Sequence, residues 1–389
     1  MTASLPTHRD SSGHLRASVV IPTYNRCASL ERVLRALAMQ TTPQGAFETL
    51  VIADGCTDET VALCQRLMHE TPYTLRLIEQ ENAGPAAARN RGVREARAAL
   101  IVFVDDDVAP DAEWLAVHLE AHAPDASDDV VAIGPLLPPT DVRLNAWGAW
   151  EERALCSHYE DMTLGRWKPS YRQFYTGNAS LARRLIVDAG GFDARFRRAE
   201  DIELGLRMSL RGCSFVFLPE ARGWHYVQRT FASWQRMPTA YGAATVTMAR
   251  EHTVDEVALA AEEFHFRNAL VRRRARICVG SRRRVGVMTA LLRPLAATGW
   301  ALHVPVVTNA CCSVVFNLRY YQGFATELGG ADRFWRLVRE AAPVTQEQRG
   351  MMMARVRVLA MRLLEMPELA HEPEDGLREN ERLELGASR

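Results

Sequence analysis

The stretch that most constrains this chain is Leu100-Ile101-Val102-Phe103-Val104-Asp105-Asp106-Asp107. Five apolar residues, mostly β-branched or aromatic, run straight into three carboxylates. Such a run reads as a strand buried on both faces, as in a parallel sheet. The carboxylates then stand at the strand's C-terminal end, where open α/β sheets bind their ligands. Three adjacent Asp repel one another, and unpaired charge is costly to bury. A divalent metal answers both demands, and ligation by oxygen favours Mg²⁺ or Mn²⁺. The same octapeptide also reads as a solvated acidic turn capping the next helix, so the rest of the chain has to decide.

Strand and helix signals alternate ahead of it. Residues 17–22 read as a strand, and 28–39 carry Leu30, Val33, Leu34 and Leu37 at helical spacing. A second strand over 49–53 ends in Asp54-Gly55-Cys56-Thr57-Asp58, and 59–70 is helical by period. A strand over 73–79 and a helix over 86–98 follow. This alternation argues for an α/β fold with a mainly parallel, doubly wound sheet. Beyond Asp107 the pattern predicts a helix over 112–121 and a strand over 130–134. Residues 135–175 are irregular and rich in Trp, Tyr and Pro, as a substrate-facing excursion would be. A helix over 183–189, the turn Gly190-Gly191-Phe192-Asp193, a helix over 202–210 opened by Glu200-Asp201, and a strand over 214–218 come next.

Composition adds limits. The 389 residues suffice for one large domain and a smaller one, and the formal net charge of zero implies no nucleic-acid partner. Eight scattered Cys without a CxxC pair suggest neither zinc site nor disulfide framework. Residues 1–16 are polar and read as a flexible tail without a signal-peptide core, which points to the cytoplasm. Charge is uneven, however: Arg267 to Arg293 holds nine Arg and no acid. Residues 295–316 then run for 22 positions without acid or Arg. That is long enough to span a bilayer but weakly hydrophobic and broken by Pro305. The combination suggests helices lying on an anionic membrane surface through residues 265–320, and so a peripheral location. An Arg-rich solvated face on an ordinary helical domain is the other reading. From Thr345 a capping box and an amphipathic helix lead into a charged tail. The expected units are the tail 1–16, a nucleotide-binding domain over 17–245, a basic helical region over 250–345, and 346–389.

Six motifs now stand in order. They are Val-Val-Ile-Pro-Thr-Tyr-Asn (19–25), Ala-Asp-Gly-Cys-Thr-Asp (53–58), Asn-Ala-Gly-Pro-Ala-Ala-Ala-Arg-Asn-Arg-Gly (82–92), Val-Asp-Asp-Asp (104–107), Gly-Gly-Phe-Asp (190–193) and Glu-Asp (200–201). Over roughly residues 17–230 the chain resembles the family 2 glycosyltransferases. The resemblance implies a GT-A fold, a nucleotide-sugar donor, a divalent cation and inversion at the anomeric carbon. It likens Asp105 and Asp107 to the family's Asp-x-Asp pair, with Asp105 toward the ribose and Asp107 toward the metal. It sets the base in the Glu200-Asp201 pair, with Asp201 favoured. Some GT-A enzymes carry a further His ligand where this chain has His225, and a mixed His and Asp site suits Mn²⁺. The family often has Asp-Asp-Gly-Ser-Thr-Asp where this chain has Ala53 and Cys56.

The residues read by themselves agree. Pro22-Thr23-Tyr24 can line a nucleobase, and Asp54 can accept from the imide N–H that uracil or thymine offers. Asp54-Gly55 is also a simple turn. Arg89, near a helix start, can reach a diphosphate, although a surface Arg on an Ala-rich helix reads the same way. Asp106 completes the acidic triplet as a donor contact or a bystander. A hydroxyl nucleophile needs a carboxylate to take its proton, yet Glu200 and Asp201 also suit a helix N-terminus. Asn178 and Trp224, with Trp147, Trp150, Trp167 and Tyr171, are candidates for acceptor or sugar contact or for core packing. The expected activity is metal-dependent transfer from a UDP- or TDP-sugar to the hydroxyl of a glycan or lipid-linked acceptor. A nucleotidyltransferase would carry a Gly-rich basic loop in place of Pro22-Thr23-Tyr24-Asn25. A non-catalytic scaffold is the remaining alternative, and a dehydrogenase is disfavoured because no GxGxxG follows the first strand.

Overall fold

The apolar runs become a mixed central sheet. The computed structural model describes residues 15–196, 198–226, 229–252, 264–265 and 267–340. The first half supplies β1 (Ala17–Thr23), α1 (Cys27–Ala38), β2 (Phe47–Asp54), α2 (Thr60–Glu70), β3 (Thr74–Gln80), α3 (Pro85–Glu95) and β4 (Leu100–Val104). Then come β5 (Val108–Pro110), α4 (Trp114–Glu120), β6 (Val130–Ile133), β7 (Leu136–Leu137) and α5 (Ala146–Thr163). They are followed by β8 (Asn178–Ala182), α6 (Arg183–Asp188), α7 (Glu200–Leu210), β9 (Ser214–Phe217) and β10 (Gly223–His225). Seven strands line up in the order β3-β2-β1-β4-β8-β6-β9, and β5-β10-β7 form a small second sheet.

Period-two alternation sends side chains of one strand to two cores. Val19, Ile21, Val102 and Val104 pack with Leu30, Val33, Leu34 and Leu37 of α1. Val20, Ile101 and Phe103 pack on the other face with Ala86, Ala88 and Val93 of α3 and Leu204 and Met208 of α7. Because β4 is covered on both faces, the charge that follows it emerges only where the strand ends.

Two stretches depart from the expected pattern. Residues 178–182, for which the apolar pattern predicts no strand, form β8 at the middle of the sheet, antiparallel to β4 with Asn178 opposite Val104. Within the irregular stretch 135–175 lies the 18-residue α5, whose Asn145 cap accepts from the Gly148 N–H.

The remaining helices are α8 (Phe231–Trp234), α9 (Arg236–Glu251), α10 (Ala269–Cys278), α11 (Arg282–Ala301), α12 (Pro305–Leu328) and α13 (Ala331–Glu340). The apolar stretch 295–316 is a helical hairpin: α11 ends at Ala301, and Pro305, free of any need to donate, starts α12. Among the described residues no helix is long and apolar enough to cross a membrane. α9 runs through the interval 245–250 and packs on α12. Trp147 and Trp150 of α5 sit against Phe231, Trp234 and Phe316, which assigns them to packing. The tail 1–14 and the expected unit 346–389 lie outside the described residues.

Candidate active site

Three adjacent carboxylates leave β4 in different directions. Asp106 is buried, takes a 2.7 Å hydrogen bond from Thr23 Oγ1 and lies 3.4 Å from Arg26 Nη1. The same guanidinium donates to Asp107. Burial pushes the Asp106 carboxyl up to about 7, against the pull of Arg26 and with the charge of Asp107 adding to the rise. Asp105 turns the other way and meets Arg89.

Arg89 is the hinge of the crevice. The residue is 5% exposed, and its guanidinium reaches Asp105 at 2.8 Å and Glu200 at 2.7 Å. Burial alone would lower its pKa, but the two carboxylates raise it above the ordinary Arg value. Arg89 therefore joins the acidic turn after β4 to the N-terminus of α7, rather than standing free for a diphosphate. Asp105, drawn to Arg89, is not grouped with the other metal candidates. Ala199, just ahead of Glu200, has φ 61°, a left-handed conformation uncommon for a residue with a Cβ. That sharp entry aims the start of α7 at the crevice. Asp201 follows Glu200, partly buried, with the Thr176 N–H 3.4 Å from its Oδ2. Burial, then the neighbouring Glu200 charge, raises its pKa to about 7, against the pull of Arg89.

The small sheet closes the other side. β10 pairs antiparallel with β5, which sets His225 opposite Val108, next to the acidic triplet. His225 Nε2 is 3.7 Å from Asp107 Oδ1, and its Nδ1 is 3.7 Å from Glu152 of α5. Burial holds the imidazole below its ordinary pKa although Asp107 opposes this. Among the described residues His225 Nδ1 and Glu152 Oε2 are buried without a hydrogen-bond partner. Burial, then the Glu151 charge, drives Glu152 up to about 8. Mg²⁺ and Mn²⁺ usually take one or two protein ligands and complete their shell with phosphate oxygens and water. Asp107 and His225 fit that role, with Asp107 already the focus of a cation. Among the described residues no group of three or more His, Cys, Asp or Glu is arranged to hold a metal.

Other sequence candidates are placed differently. Asp54 is buried: Oδ1 accepts from Gln80 Nε2 (2.7 Å) and the Ala83 N–H (2.9 Å), and Oδ2 from the Gly84 N–H (2.8 Å). Its carboxylate fixes the turn before α3, and one acceptor position on Oδ2 remains. Asn178 is fully buried, and this corrects its reading as an acceptor contact. Its Oδ1 accepts from Trp114 Nε1 and His118 Nε2, and its Nδ2 donates to the carbonyls of Pro135 and Ala221. All four positions are taken. Pro22 is half-buried, Tyr24 is exposed beyond β1, and Trp224 is partly buried beside His225. Sequence reasoning missed Arg26 and Glu152. Their only signals were a lone cation in the loop facing the acids and an acidic pair, Glu151-Glu152, in an aromatic stretch.

The chain is similar to known proteins. The model of glycosyl transferase family 2 matches residues 18–197. Validoxylamine A glucosyltransferase of Streptomyces hygroscopicus subsp. jinggangensis is 34% identical over 230 residues, 53% of this chain and 54% of that protein. Glycosyltransferase AglE of Haloferax volcanii is 33% identical over 228 residues, 58% of this chain and 68% of AglE. The chain thus spans about half the length of the first of these relatives. A crystal structure of S. aureus TarS 1-349 superposes with a TM-score of 0.50 at 18% identity, covering 79% of this chain and 90% of that one, a likeness of fold. The expected GT-A-like arrangement, a mostly parallel mixed sheet followed by helices, is the one adopted. With the family model on its N-terminal half and a relative matched over two thirds of its length, the chain belongs to glycosyl transferase family 2.

Proposed function

We propose that the chain transfers a sugar from a UDP- or TDP-linked donor to a hydroxyl of a glycan or lipid-linked acceptor, with inversion at the anomeric carbon. The observation that carries this reading is the Arg89 bridge between Asp105 and Glu200, which draws two acidic motifs into one crevice. Pro22, Thr23 and Tyr24 flank the base, the remaining acceptor position of Asp54 faces its imide, and Asp105 takes the ribose. Asp106, held by Thr23 and Arg26, braces the donor loop. Asp107 and His225 would hold Mn²⁺ or Mg²⁺, which when bound neutralises diphosphate oxygens and stabilises the leaving group. Asp201 takes the acceptor's proton as its oxygen bonds to the anomeric carbon. The bond from that carbon to the diphosphate breaks, and the electron pair leaves with the diphosphate. A carboxylate whose pKa lies near neutrality suits this proton transfer.

The test is a thermal-shift series with UDP, TDP, GDP and the nucleoside triphosphates, each with and without Mn²⁺. A ligand that binds only the folded chain raises Tm, by a few degrees at about 100 Kd. Manganese-dependent stabilisation by UDP or TDP is expected. No shift with any nucleotide, or a shift with triphosphates alone, would overturn the reading.

A further inference from the structure

We propose that the outer face of α11 and the turn into α12 form a docking surface for an anionic lipid bilayer. The inference rests on this geometry and is independent of the reaction proposed above. α11 has two apolar sides. Val285, Thr289, Ala296 and Gly299 face inward and are buried. On the opposite side Val287 (54% exposed), Leu291 (59%), Leu295 (52%) and Leu302 (67%) stand in the open. These four positions fall within one narrow stripe at 100° per residue. Val304, Val306 and Val307 continue it around the turn, also exposed. Twenty residues of helix extend about 30 Å, so the stripe offers a long, shallow apolar ridge. Isolated exposed apolar side chains are ordinary, whereas a contiguous ridge marks an interaction site.

Charge selects the occupant. Between Glu263 and Glu327 the chain has ten Arg and no acid. Arg273 and Arg276 of α10 and Arg282, Arg283 and Arg284 at the start of α11 are exposed. A leucine and valine ridge on a helix that opens with three exposed Arg has the character of a helix lying in the headgroup region of an anionic leaflet. A second copy of the chain fits worse, because docking ridge to ridge brings two sets of unbalanced Arg together. The surface also connects to the crevice. α11 and α12 pack on α5, which carries Glu152 to within 3.7 Å of His225.

The experiment is flotation of the full chain with vesicles of phosphatidylcholine alone or with about one third phosphatidylglycerol. Wild type is expected to float with the anionic vesicles at low salt and not with the neutral ones. Two double variants, Leu291→Gln with Leu295→Gln and Arg282→Gln with Arg283→Gln, are expected to lower the bound fraction at least about tenfold. All four side chains are exposed, so Tm and far-ultraviolet circular dichroism should not change. Failure of the wild type to float with anionic vesicles would overturn the proposal, as would undiminished flotation of both variants. A concentration-dependent dimer in sedimentation velocity, lost in the leucine variant without any lipid binding, would assign the ridge to a second copy instead.

Discussion

Arg89 holds its place because two carboxylates need it. Its guanidinium forks between Asp105 and Glu200, and the Glu200 half of the pair is well buried. Breaking a buried ion pair by deleting one partner costs about 3–5 kcal/mol, since the other charge stays behind. The Asp105 half is solvent-screened, with that side chain 36% exposed, and contributes less. Arg89→Met is therefore expected to lose about 2–4 kcal/mol in urea unfolding near neutral pH. Arg89→Lys should recover little of this, because one ammonium on a flexible stem does not match a planar fork. An Arg89→Met midpoint equal to wild type would show that the bridge adds nothing to the fold.

Elements show how far a sequence can be read. β1, β2 and β4 were legible from their apolar runs, and β3 from Leu75, Leu77 and Ile78 set between two helical periods. β8 was not, because Asn178, Ala179 and Ser180 are small or polar and their strand is made by its neighbours. Asn178 looked like a surface residue for the same reason: its four partners come from α4, Pro135 and Ala221, far off in the chain. The acidic residues of the crevice were legible as types. Asp105 meets Arg89 of α3, while Asp107 lies near His225, which the pairing of β5 with β10 brings over; no local pattern encodes either meeting. The crossing of α9 and α12 is another long-range feature with a local test. A Cβ at Gly323 would lie 2.0 Å from the Thr239 carbonyl oxygen, and one at Gly242 2.0 Å from that of Tyr320. Gly323→Ala forces the helices apart and is expected to cost about 1–3 kcal/mol. Gly286→Ala, where a Cβ meets nothing within 4 Å, should stabilise α11 by about 0.5–1 kcal/mol. Calorimetry of the two variants checks both signs, and equal shifts would contradict the close helix contact.

Across the whole molecule, acid–base behaviour divides between frame and crevice. Burial alone would raise Glu48 in β2, but hydrogen bonds from Ser18, Arg76 and the Arg97 N–H hold it below its ordinary value. Burial lowers His118 to about 4. Both are depressed in the fold, so their stabilisation is present above their unfolded values and lost as pH falls, from about 6.5 to about 4 for His118. Asp201 has the opposite sign. Its raised pKa gives stability that is full below the ordinary Asp value near 4 and lost as pH rises to about 7. The frame is therefore firmest where the proposed base is ionised, and the ionised base weakens it. Asp201→Asn removes that charge while leaving an oxygen for the Thr176 N–H. The variant is expected to be more stable than wild type, by up to a few kcal/mol at about pH 8 and by much less at about pH 5. Turnover should fall by about 10² to 10⁴, the usual contribution of a general base. Calorimetry at the two pH values separates the possibilities. A stability gap that widens with pH requires an ionisable group held above its ordinary value at position 201. A gap of constant size would mean that Asp201 is an ordinary capping residue of α7, and the proton would then have to leave through another group.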